Sequence, residues 1–182
     1  MTSKVCFTGS TTFPLMSLKS NILTNLKRLI WFTENNGLFM TTILFNFCNS
    51  LILLVWGMVL FFPKQKITAR LIAYPWIPLC LSFFYLYFII VSGGITEADF
   101  SSLEGIVVLF QKATPESAAA GWLHYLAFDF WMGAWIIKHS QKQGIKHLFV
   151  VIPLVFTFML GPVGILIYSL FLFGRKAFIQ AK

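Results

Sequence analysis

LFMTTILFNFCNSLILLVWGMVLFF, residues 38–62, runs for 25 residues without a charge and stops at Pro63 and Lys64. A bilayer core of about 30 Å is crossed by around 20 apolar residues rising about 1.5 Å each. Lipid offers no partners to backbone N–H and C=O groups, so a run of this kind closes its own hydrogen bonds as a helix. Three further runs are found on reading outward: Leu71 to Ser92, stopping at Gly93-Gly94; the more polar Ala119 to Ile137; and Leu148 to Phe173, bounded by His147 and Arg175. The period-two alternation of a membrane barrel is absent. The pattern predicts an all-α membrane protein, a four-transmembrane-helix bundle, with one crossing per run.

Composition agrees. Of 182 residues 58% are hydrophobic and 11% charged, and the 21 Phe outnumber the 14 Lys and Arg. A soluble domain carries about 25% charged residues, and disorder requires low hydrophobicity. The net charge of +8 would suit nucleic acid in a soluble chain. Here the cations sit between apolar runs, where the expected partner is membrane lipid and no nucleic acid. Lys64, Lys66 and Arg70 link spans one and two, and Lys138, Lys142 and Lys146 link spans three and four. Glu97, Asp99, Glu104 and Glu116 lie between spans two and three, where Phe100, Leu103, Ile106, Val107 and Phe110 have the spacing of a short interfacial helix. Lys27, Arg28, Lys112, Arg175 and Lys176 fall on the other side of a four-span chain, so the positive-inside rule only leans toward cytoplasmic short loops.

Three regions follow: a basic leader over 1–37, the four-span domain over 38–176 and a basic tail over 177–182. In the leader, Leu18, Ile22, Leu26, Leu29 and Ile30 place an apolar face on a helix from Ser17 to Phe32, which suits the membrane surface. Its acid-poor, hydroxyl-rich composition also fits a transit peptide, and Met16 or Met40 could each be a start.

Several chemistries are excluded. Cys6, Cys48 and Cys80 form no C-x-x-C, and His124, His139 and His147 lack the clustered spacing of zinc or di-iron sites. No Walker loop, dinucleotide fingerprint or nucleophile elbow occurs. No metal and no cofactor is expected.

What remains is GWLHYLAFDFWMGAW, residues 121–135, with Asp129 near the centre of span three. A carboxylate at a helix centre in lipid costs about 2.5–3.5 kcal/mol on insertion scales. Asp129 should therefore face the bundle interior with a partner, or hold its proton. His124 is five residues away, about 140° around and about 7.5 Å along an ideal helix. The two can flank one cavity from adjacent faces, or align through a π-bulge. Polar and small stripes on the other spans, Thr42, Asn46, Asn49 and Ser50; Tyr74, Pro78, Ser82, Tyr85 and Ser92; Thr157, Gly161, Gly164 and Tyr168, have the composition of helix contacts in lipid. Pro75 and Pro78 should bend span two, and Pro162 should kink span four.

The block Gly121-Trp122-Leu123-His124-Tyr125-Leu126-Ala127-Phe128-Asp129 and the later Gly161-Pro162-Val163-Gly164-Ile165 resemble the abscisic-acid-deficient neoxanthin-synthesis family of plants and its bacterial relatives. Phe45, Asn49, Trp56 and Phe62-Pro63-Lys64 in span one agree, as do Ser101-Ser102-Leu103-Glu104-Gly105 and Leu109-Phe110. The likeness covers roughly residues 38 to 176. It implies a small integral membrane protein with a carotenoid-related role, in a bacterial inner membrane or, alternatively, a plastid membrane. An enzyme of this kind would turn a 5,6-epoxide into an allene with a tertiary alcohol, Asp129 being acid and His124 base or the reverse. Trp122, Tyr85, Asn49 and Trp131 would line the substrate site. A non-catalytic carotenoid- or lipid-binding protein, a homo-oligomer or support for a partner membrane enzyme is the alternative, and proton-coupled transport ranks last. The family resembles itself in an arginine five residues after the aspartate, where this chain has Ala134.

Overall fold

The computed structural model describes residues 13–93 and 99–180, with side chains at 24–28, 36–93 and 99–178. Glu97 and the first 12 residues of the expected leader thus lie outside the described residues. Seven α-helices and no strand occur among them: α1 (Phe13–Phe61), α2 (Lys66–Ala73), α3 (Trp76–Val91), α4 (Leu103–Gln111), α5 (Pro115–Lys142), α6 (Leu148–Leu160) and α7 (Pro162–Gln180). The chain divides into two units, residues 1–40 and 41–182. In the first the backbone is helical from Phe13, and Leu26, Lys27 and Arg28 are exposed. The other apolar residues of the expected leader helix have side chains outside the description.

By length and composition, Asn36–Phe61 is the helix among the described residues that could cross a membrane alone. α2 and α3 would make a second span together, bent by 55°. The bend sits where expected. Pro75 cannot donate a backbone N–H, and Tyr74 and Pro75 both leave the helical region. Lys138 Nζ donates to the freed Ala73 carbonyl at 2.8 Å.

In the second unit α5 is the central element. A capping box starts it: Thr114 Oγ1 accepts from Ser117 N at 3.2 Å and Ser117 Oγ accepts from Thr114 N at 2.8 Å, with Pro115 in the first turn. The apolar half of α1 runs parallel to it. Thr41 Oγ1 donates to Glu116 Oε1 at 2.9 Å near one end, and His147 Nε2, just beyond the other end of α5, donates to Leu60 O at 2.9 Å. Between them Trp56 is fully buried, 5.7 Å from the Phe130 ring and 5.3 Å from Phe158. It fits because position 133 is glycine; a Cβ there would come within 2.5 Å of Trp56 Cη2.

The expected fourth crossing over Leu148–Phe173 is corrected by the structure. α6 ends at Gly161, whose φ of +45° suits glycine alone, and α7 turns back beside α6. A Cβ on Gly164 would meet the Thr157 backbone nitrogen and side chain and Pro153 O. In a continuous helix Pro153 and Gly164 would stand about 16 Å apart. Phe149, at the start of α6, stacks on Phe171 at 6.0 Å. Tyr168 hydrogen-bonds His139 Nδ1 at 2.8 Å, and Arg175 Nη2 donates to Gln143 O at 3.1 Å, so α7 returns to the end of α5 from which α6 set out. α6 is apolar throughout and α7 as far as Phe173, and for that reason their summed hydropathy imitates a single span.

The short helix expected between spans two and three forms as α4, with no buried residue. Ser102 Oγ caps it by accepting from Gly105 N at 3.0 Å. Asp99 holds that cap: its carboxylate accepts from Ser101 Oγ at 2.6 Å, Ser102 Oγ at 2.7 Å and Ser101 N at 2.8 Å. The two hydroxyls and the amide hold its carboxyl below the usual carboxylate range. A lowered folded value favours the turn above the unfolded pKa of about 3.9 and releases it as pH falls through the lowered one. The Ser101 amide resonance should therefore titrate with a midpoint below 3.9, as an NMR pH series will show; a midpoint at or above that value would mean the carboxylate does not hold the cap.

Candidate functional site

At about 100° per residue, α5 sorts the sequence-selected side chains onto separate faces. Trp122 and Asp129, seven residues apart, lie on one face about 10.5 Å from each other along the axis. His124 and Trp131, also seven apart, lie on another. The structure follows this division. Trp122 Nε1 donates to Asn49 Oδ1 at 3.1 Å across to α1. Asp129, half-buried, rests on the tip of the α6–α7 hairpin: a Cβ on Gly161 would fall 2.5 Å from Asp129 Oδ1. His124, exposed, packs instead against Phe128 at 4.8 Å and Tyr85 of α3 at 5.9 Å between ring centroids.

The six residues thus form two pairs and two separate members. Asn49 meets Trp122, and Tyr85 meets His124. Asp129 meets the hairpin tip. Trp131, 52% exposed, lines a cleft of about 220 Å³ with Ala134, Trp135 and Lys138 where α5 passes the α2–α3 bend. No hydrogen bond or ion pair among the described residues joins Asp129 to His124 or to any cation. Among the described residues Asp129 and His124 thus meet different neighbours, and no π-bulge in α5 brings the two into line.

The tip is built from the stripe read as a packing surface. Gly161 makes the turn, Pro162 opens α7 where its missing N–H leaves nothing unpaired, and Gly164 N donates to Gly161 O at 3.1 Å. Gly164 lets the helices touch, and Thr157 Oγ1 turns inward to Pro153 O at 2.8 Å. The reversal was missed in the sequence, although Gly followed directly by Pro is a strong breaker signal. On the other polar stripes, Ser82 and Ser92 turn their hydroxyls to Pro78 O and Ile89 O of their own helix, and Asn46 and Ser50 are exposed.

A helical protein with a half-length hairpin closing on a carboxyl-bearing central helix is the class these features define. Residues 43–168, from the apolar half of α1 through the hairpin tip, match the ABA4-like family, described as ABA DEFICIENT 4-like. The chain belongs to that family. No curated protein matches it, and no solved structure does.

Proposed function

We propose that the protein is an integral membrane isomerase of the neoxanthin-synthesis type, in which Asp129 is the acid. In this reading the apolar half of α1 and the α2–α3 pair cross the bilayer, α5, too polar to cross alone, crosses packed against them, and α6–α7 enters as a re-entrant hairpin. Broad exposure of Leu54, Phe83, Phe128 and Leu170 supports contact with lipid on several sides. So does charge. With α7 returning, Arg175 and Lys176 join Lys64, Lys66, Arg70, Lys138, Lys142 and Lys146 at one end of the 41–182 unit, and Lys112 stands apart from them. Against Lys27 and Arg28 before the first span and Lys112, these eight cations favour the cytoplasmic side for that end under the positive-inside rule. Single cysteines at positions 146 and 176 are expected to react with an impermeant maleimide from the same side of sealed vesicles; labelling from opposite sides would restore a fourth crossing.

The observation that carries the catalytic reading is the Asp129 carboxyl packed on Gly161 at the hairpin tip, with no ion pair to a cation among the described residues. A carboxyl so placed in lipid is most stable neutral, as a proton donor. Isomerising a 5,6-epoxide to an allenic alcohol changes no atom count. A proton goes to the epoxide oxygen as its C–O bond opens, another leaves the neighbouring vinylic carbon, and that C–H electron pair becomes the new double bond of the allene. One carboxyl group can do both steps, first as acid and then as carboxylate. Trp122, held by Asn49 on the face of Asp129, offers a flat apolar contact for a polyene.

A second reading is supported by the separation of His124 from Asp129: the bundle binds a carotenoid without converting it. Expression in cells that accumulate epoxy-carotenoids separates the two. Appearance of an allenic product supports catalysis, pigment co-purifying unchanged supports binding, and the absence of both sinks each.

A further inference from the structure

The cleft beside the α2–α3 bend is unrelated to Asp129. Lys138, nine residues on, is about 180° around α5 from it. The lining is almost entirely apolar, with Leu71, Pro78, Trp131 and Ala134 among its walls, and Lys138 is the charged side chain at its edge. One of the three N–H donors of Lys138 is used on Ala73 O. Tyr74 and Trp135, each partly exposed, flank the same opening, as amphipathic rings do at headgroup level. Around that end of the unit stand the seven other cations named above. No Asp or Glu occurs between Phe61 and Val91 or after Asp129, so nothing in those stretches offsets the charge.

We infer that this cleft binds one anionic phospholipid, with an acyl chain in the apolar slot and the phosphate on Lys138. The charge complementarity selects that occupant: an apolar slot alone would take any chain, whereas a cation at its mouth in an uncompensated basic surface favours a phosphate-bearing one. The slot lies where the α2–α3 break, bent by 55°, meets α5. The inference rests on the membrane placement given above and is independent of catalysis.

The full chain in phosphatidylcholine nanodiscs, titrated with brominated-acyl phosphatidylglycerol, provides the test through tryptophan fluorescence. A saturable quenching phase is expected above the linear background, absent in the W131F/W135F variant. Lys138→Gln should raise the half-saturating mole fraction by about tenfold, and Ala134→Phe, which fills the slot, should remove the phase while Lys138→Gln keeps the protein folded as the comparison. Equal saturable quenching by brominated phosphatidylcholine would overturn the inference, as would an unchanged half-saturation in Lys138→Gln. Absence of even the linear background, with Trp76 and Trp122 largely exposed, would overturn the membrane placement itself.

Discussion

Asp129→Asn is expected to lower conversion of an epoxy-carotenoid by at least about 10²-fold, the scale of a lost general acid, with protein level and thermal stability unchanged. The asparagine is isosteric, so its oxygen can still rest on Gly161, where the carboxyl oxygen now lies 2.5 Å from the position of a would-be Cβ. It has no proton of suitable acidity to deliver to an epoxide oxygen. His124→Ala provides the contrast. His124 packs against Tyr85 and Phe128 on another face of α5, so its loss should change conversion far less than that of Asp129. Conversion retained in Asp129→Asn would end the proposal that this carboxyl is the acid.

Gly164→Ala should destabilise the protein by about 1–3 kcal/mol, the cost of overpacking, and Gly164→Leu should prevent the hairpin from closing. The added carbon would land on the backbone of Thr157 and on Pro153 O, neither of which can move without shifting α6. Gly174→Ala, on the same helix, is the control: a Cβ there meets nothing within 4 Å, and replacing a helical glycine gains about 0.5–1 kcal/mol. Thermal unfolding in detergent measures both. A melting temperature several degrees lower for Gly164→Ala and unchanged or slightly higher for Gly174→Ala is the expected result. Equal values for the two would mean that α6 and α7 do not pack as described. Because Asp129 rests on the hairpin tip, Gly164→Leu should also impair conversion even where protein accumulates.

The amino-acid sequence by itself determined that the chain is helical, that its long apolar runs lie over residues 38–62 and 71–92, that Pro75 bends the second of them, and that Asp129 is the exceptional acid. These properties depend on local composition: charge-free length, a ring that lacks an N–H, and one carboxyl among apolar neighbours. The family was legible too, since its motifs are contiguous stretches such as residues 121–129. Only the tertiary structure decided what Asp129 faces. Hydropathy sums over residues 148–173 give the same total for one crossing and for two half-length helices folded together, and the choice between them rests on a positive φ at Gly161 and on the bare Cα of Gly164 against Thr157. That reversal carries Arg175 to the basic end of the unit and sets the hairpin tip, and not His124, against the carboxyl.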